Sequence, residues 1–240
     1  MKFFYLCILF CSLFISCSDS SDTNHQNTTA HRFAVVNIDT IPINKDNPYD
    51  AAGQIHHELL TAYYNGESLP LTLTGIISST QTIANETTSF MNLTKGVPYM
   101  FNYSDRVAYI VSQPDGFQDE IINGTLETNE AKNSLKSFVT SLLSLCELEE
   151  DYSILHNYII NYEESILKKE SLTLKDKQVI LTTTSIARHS VYARKKKPKK
   201  DKDPEWQYMV GNIFAAIDGA DDSMADAVMK GLITGIVENK

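Results

Sequence analysis

Six histidines occur in this chain of 240 residues, and two of them stand together in His56-His57-Glu58. Imidazoles beside a carboxylate are what a zinc-dependent hydrolase uses. A helical zinc site, however, needs two histidines four residues apart with Glu beside the first. Thr61 occupies the position four after His57, and neighbours on a helix point about 100° apart. The spacing fits tetrahedral zinc poorly, so no metal ligand is predicted. His56 falls on an apolar stripe and reads as a core or capping histidine. Arg188-His189 forms a second pair among apolar and Thr residues. It could contact an anion or substrate in a cleft. The favoured reading is an ion pair of Arg188 with Asp50, Glu58 or another acid across a helix bundle. His56, His57, Arg188 and His189 are thus the candidate site residues, and an unrecognised hydrolase-like site would centre on His56, His57 and Arg188.

Other clusters are weaker. Lys195-Lys196-Lys197-Pro198-Lys199-Lys200-Asp201-Lys202 could meet lipid phosphates. With Pro and Asp interleaved and no aromatic residue, it reads as a solvated loop. Asp218-Gly219-Ala220-Asp221-Asp222 lacks the alternate-residue spacing and closing Glu of a calcium loop, and Asp221 is expected to cap the last helix. Cys146 lies on an apolar stripe and reads as a small core residue. No nucleophile elbow, phosphate-binding Gly loop or paired-Cys spacing occurs, so neither a cofactor nor a catalytic residue is assigned.

The elements that would position these residues are mainly helical. Asn47-Pro48-Tyr49-Asp50 predicts a cap and first turn. Ala52, Ile55, His56, Leu59 and Tyr63 then recur at helical spacing, and Asn65-Gly66 predicts a left-handed end. Residues 72–90 are rich in Thr and Ile, which favour strand, but Ile76, Thr80, Ile83 and Thr87 share a helical face, so helix is preferred. Residues 97–125 give no clear period and stay open between helix and strand. Leu135, Phe138, Val139, Leu142 and Cys146 form one stripe, and Tyr152, Leu155, Ile159, Tyr162 and Ile166 a second. Thr173 caps a third helix with Asp176 at the box position. Helices are therefore expected near 48–64, 72–90, 128–148, 151–168, 174–194, 204–217 and 221–238. The last two carry small residues four apart at Gly211, Ala215 and Gly219 and at Gly231 and Gly235. These read as close helix contacts in a core, with a membrane-active or self-protective pair as the minority reading.

At the N-terminus, Lys2 is followed by an apolar run to Ile15, then Ser16-Cys17. The run is about 13 residues, short of the roughly 20 needed to span a bilayer, and has the order of a signal peptide. Phe14-Ile15-Ser16-Cys17 resembles a bacterial lipobox. That resemblance implies cleavage before Cys17, a diacylglycerol on its thiol and often a further acyl group such as palmitate on the new amine. An ordinary secretory cut near Ser16 and a retained anchor are the alternatives. Residues 17–46 are polar apart from Phe33-Ala34-Val35-Val36 and read as a flexible tether. The acidic, Ser-rich start Ser18-Asp19-Ser20-Ser21-Asp22 resembles signals that send lipoproteins of Bacteroidetes-type bacteria to the cell surface.

Net charge is −9. Losing residues 1–16 removes only Lys2 and leaves 20 basic against 30 acidic residues, or −10. An acidic chain without a basic face excludes nucleic acid and broad adhesion to anionic lipid as working hypotheses. Once the leader is cut and Cys17 acylated, only Cys146 remains, so no internal disulfide is available.

Asn47-Pro48-Tyr49-Asp50-Ala51-Ala52-Gly53-Gln54-Ile55-His56-His57-Glu58-Leu59-Leu60 resembles an opening block of uncharacterised lipoproteins of Bacteroidetes-type bacteria. Ser185-Ile186-Ala187-Arg188-His189-Ser190 and Asp218-Gly219-Ala220 resemble later blocks of the same proteins. The resemblance implies class and address and brings no reaction with it. The expectation is a mainly α, single bundle-like domain (47–240) behind a signal peptide (1–16) and lipidated tether (17–46), with a three-helix core and a closing helical pair. It would sit in the cell envelope, anchored through Cys17, on the outer membrane and displayed at the surface. A non-enzymatic binding or structural role with an envelope protein partner is the leading function; a hydrolase is the rival.

Overall fold

The computed structural model describes residues 42–114, 116–193 and 204–239. The leader, Cys17, the Phe33–Val36 segment and the lysine run lie outside the described residues. Within them the chain is mainly helical: α1 (Ala51–Tyr64), α2 (Leu73–Glu86), α3 (Thr88–Leu93), α4 (Ser104–Ser112), α5 (Phe117–Thr125), α6 (Asn129–Leu148), α7 (Tyr152–Lys168), α8 (Leu174–Ala193), α9 (Pro204–Asp222) and α10 (Met224–Glu238).

Side-chain caps start several of these. Thr72, Thr128 and Thr173 accept from the backbone N–H three residues on, Gly75 and Ala131 at 3.1 Å and Asp176 at 3.0 Å. Ser223 does the same for Asp226 at 3.0 Å, each satisfying a donor that the first helical turn leaves open. Ser223, not Asp221, is therefore the cap of α10; Asp221 is still inside α9, which ends at Asp222, five residues beyond the end expected from spacing. The Thr-rich stretch is helical because its hydroxyls find partners within the helix. Thr80 donates to Ile76 O at 2.8 Å, Thr82 to Ser78 O at 3.0 Å and Thr87 to Ile83 O at 2.8 Å. Ile76, Thr80 and Ala84 face inward.

Other expectations need correction. Asn47 does not begin α1. Its Oδ1 accepts from Tyr49 N–H at 2.8 Å, making an Asx-turn, and the helix starts at Ala51. Asn65 ends α1 in right-handed geometry, φ −84°, because its N–H still bonds back to Thr61. Residues 97–125 hold α4 and α5, each of nine residues, separated by a turn with left-handed Gln113 (φ 42°) and Gly116 (φ 78°). The polar lead-in expected to reach residue 46 ends sooner, since Pro42 and Asn44 are already buried.

The largest correction concerns the centre. The expected closing pair, α9 and α10, is interior: Tyr208–Ile217 and Ala227–Ile236 are continuously buried, as is residue 179–191 of α8. Gly219 lets the pair close, because a Cβ there would meet the backbone of Asp226 at 2.5 Å. Helix α8 lies against α1, α7 and α9, and α9 against α5 and α10. Small polar residues (Thr182, Thr183, Thr184, Ser185) suit a helix buried on all sides, where several neighbours approach closely. Among the described residues no helix is long and apolar enough to cross a membrane.

Candidate functional site at the α1–α8 junction

The two sequence blocks that carry chemistry pack face to face. Gly53 makes this possible. A Cβ there would lie 2.3 Å from Ser185 O and 2.5 Å from His189 Cδ2. In that narrow gap Ser185 Oγ accepts from Gly53 N–H and donates to Asp50 O, both at 2.9 Å. The serine thereby takes up the Gly53 N–H that the first turn leaves open, and gives Asp50 O a second partner beside Gln54 N–H (3.4 Å).

Arg188, one helical turn on, is fully buried. Its guanidinium donates to Asp50 at 2.5 Å, to Glu163 of α7 at 3.3 Å and to Pro42 O. Glu163 is equally sealed and accepts from Asn44 Nδ2 at 2.6 Å and Asn47 Nδ2 at 3.0 Å. Asn47 also donates to Leu181 O at 3.0 Å. Of the acids named for Arg188, Asp50 is a partner; Glu58 instead accepts from Ser89. The charges are paired in the interior rather than at a bundle edge, and every bond to Arg188 restricts what it could offer a ligand.

The histidines gather on the other side of the junction. His56 is 1 % exposed and His189 0 %. Burial first, and then the charge of Arg188 and the neighbouring His57, His56 and His156, lowers His189 to about 2. Burial, with His57 beside it, lowers His56 to about 3. Both are neutral imidazoles; the ring nitrogens of His189 have no hydrogen-bond partner among the described residues, and Asn212 is the polar side chain that faces His56. His57 is half-buried, lowered by the same desolvation. Its ring lies 6.1 Å from that of His189 and 6.3 Å from that of Tyr192. Tyr192 packs on Tyr152 at 4.9 Å, and Tyr152 on His156 at 5.6 Å. The four candidates are therefore brought together, but the arginine is neutralised and two of three histidines are sealed. Among the described residues no three His, Cys, Asp or Glu side chains are arranged to hold a metal ion.

Sequence reasoning missed Glu163, Asn44 and His156. The signal for Glu163 was present: it lies four residues after Ile159 and three before Ile166, on the apolar stripe of α7, where a carboxylate requires a buried partner.

The acidic C-terminal end of α9 pairs with basic side chains of the same chain. Asp218 pairs with Arg106 at 2.7 Å and Lys230 at 2.9 Å, Asp222 with Lys230 at 3.0 Å, and Asp221 with Lys175 at 3.2 Å. The buried Lys230 ammonium also sits 3.8 Å from the ring centre of Tyr103. Beside this cluster runs an open groove of about 430 Å³, lined by Leu93, Val97, Pro98, Met100, Met224 and Asp226 among others. Val97 and Met100 on its rim are 63 % and 66 % exposed. The segment that carries them is held rigidly. Asn85 exchanges hydrogen bonds with Tyr99 N–H (2.7 Å) and O (3.0 Å), and Gln81 accepts from Phe101 N–H at 2.8 Å.

No protein-family model matches the chain, and neither a curated protein nor a solved structure is detectably similar to it.

Proposed function

We propose that the protein is an envelope lipoprotein, held on the outer membrane by acyl chains on Cys17, whose helical body binds a partner or serves a structural role rather than catalysing a reaction. The observation that carries the non-catalytic part is the condition of Arg188: fully buried, with both terminal nitrogens of its guanidinium engaged by Asp50, Glu163 and Pro42 O. A substrate-binding arginine needs an open face, and this one has none. The sealed His56 and His189 point the same way. A rigidly held groove edged by Val97 and Met100 supports binding, because exposed apolar side chains on a fixed backbone cost little ordering when a partner docks. The inward-facing apolar surfaces of α9 and α10 weigh against a membrane-active C-terminal pair.

The anchor rests on residues 1–17 alone, and two acyl chains suffice for stable membrane attachment. Radiolabelled palmitate should enter the wild-type protein and not Cys17→Ala, which should leave the membrane fraction. Equal labelling of both would end the lipoprotein reading. Crosslinking in intact cells followed by capture of the tagged protein tests the binding role; recovery of the chain alone, under conditions that capture a known envelope complex, would count against it.

A further inference from the structure

The nine residues from Pro42 to Asp50 do more than lead into α1. Three of their side chains and one carbonyl reach groups that are otherwise enclosed. Pro42 O accepts from Arg188, Asn44 donates to Glu163, Asn47 donates to both Glu163 and Leu181 O, and Asp50 accepts from Arg188. Of the hydrogen bonds to Glu163, those from Asn44 and Asn47 come from this segment and the third comes from Arg188. Between the two asparagines, Lys45 and Asp46 form an exposed turn, closed by Asn47 N–H to Asn44 O at 3.1 Å and Asp46 N–H to Asn44 Oδ1 at 3.1 Å.

We infer that residues 42–50 are a strap that completes the charged interior in cis, so that the stability of the helical body is conditional on the chain leading to it. A cut at the exposed Lys45–Asp46 turn would detach the Asn44 amide and the Pro42 carbonyl from their partners. Glu163 would lose a donor and Arg188 an acceptor, both inside the body. A buried ionic group that loses one of its few hydrogen bonds, with no water to replace it, destabilises more than a surface loop nick does. The strap is thus a proteolytic weak point. A protease acting there would release the body from whatever precedes residue 46 and loosen it in the same event. This inference does not depend on acylation of Cys17.

The test uses the full mature chain with a site-specific protease sequence inserted between Lys45 and Asp46, folded first and cut afterwards. Thermal melting is followed before cutting and after separating the N-terminal piece, in the wild-type background and in Asn44→Ala. The expected result is a fall in Tm of about 10 °C on cutting the wild type, given a few °C per lost interaction in a body of this size. The fall should be much smaller in Asn44→Ala, because the substitution has already broken part of the clamp. A cut body melting within about 2 °C of the intact chain would overturn the inference. So would an equal fall in both backgrounds, which would be an effect of cutting that does not pass through Asn44 and Glu163.

Discussion

At the scale of single residues, the buried charges set the strongest demands. Arg188 and Glu163 share an interior in which neither could stand alone. Arg188→Met should lower the free energy of unfolding by about 3–5 kcal/mol, since it leaves two carboxylates enclosed without their cation; urea melts at pH 7 measure it, and a loss below about 1 kcal/mol would mean that the pair is hydrated. The histidines make acid the unfavourable direction. His56 and His189 titrate near 3 and 2 when folded and near 6.5 when unfolded. As pH falls from 6.5 toward 3, the unfolded chain takes up protons that the folded one refuses. Their contribution is complete above pH 6.5 and is lost below it, at about 1.4 kcal/mol per pH unit for each ring. Between pH 7 and 5, His56→Leu should lose about 1–2 kcal/mol less than wild type. Identical losses would show that His56 takes a proton in the folded state. Glu238 works the other way. Burial raises it to about 7, so its contribution is present at low pH and lost as pH rises from 4.5 through 7. Glu238→Gln should flatten stability across that interval.

At the scale of elements, what was legible in the sequence followed from local rules. The stripes of α6 and α7 and the Thr173 cap of α8 are written in residue spacing, and the structure carries them at those positions. Where a distant residue decides, local rules give less. Asp176 sits at a capping-box position, yet its carboxylate accepts from Glu127 N–H and Thr128 across the fold, at 2.8 Å and 2.7 Å. Asn47 has every mark of a helix cap but is drawn away by Glu163 and Leu181 O. The nine-residue helices α4 and α5 offer only two and four inward residues, too few to establish a period. Close approach is the other feature that spacing reveals poorly. Gly53→Ala would push a methyl group against Ser185 O and the His189 ring, displacing backbone rather than a flexible side chain. It should cost about 3 kcal/mol, and more if α1 cannot shift. Calorimetric melting gives the value, and an unchanged Tm would show that the α1–α8 gap is wider than 2.3 Å contacts imply.

At the scale of the whole molecule, helical class was legible because helix is the shared answer of nearly every segment; the nesting of the helices was not. Composition gave no sign that α9 and α10 lie inside, since a helix rich in Ala, Gly and Ile reads equally well as a closing lid. Their burial is decided by how many neighbours surround them. The site was legible to the same extent. The residue types at 56, 57, 188 and 189 were visible, but their enclosure depends on α7 and on residues 42–50, more than 100 positions away from α7 in sequence. Binding belongs to this scale too. Val97→Asp with Met100→Asp alters two exposed side chains, so the melting temperature should stay within about 2 °C of wild type. Crosslinked partner recovered from cells should fall at least about tenfold, the scale of one lost apolar anchor. Undiminished recovery would move the contact surface elsewhere.

Cys146 has a practical consequence. It lies on the inner face of α6 at 0 % exposure, and it is the one cysteine among the described residues. An alkylating reagent reaches its sulfur only when α6 swings away from its neighbours. The pace of thiol modification in dilute reagent thus becomes a clock for opening of the body, readable by mass spectrometry without denaturant or an engineered label.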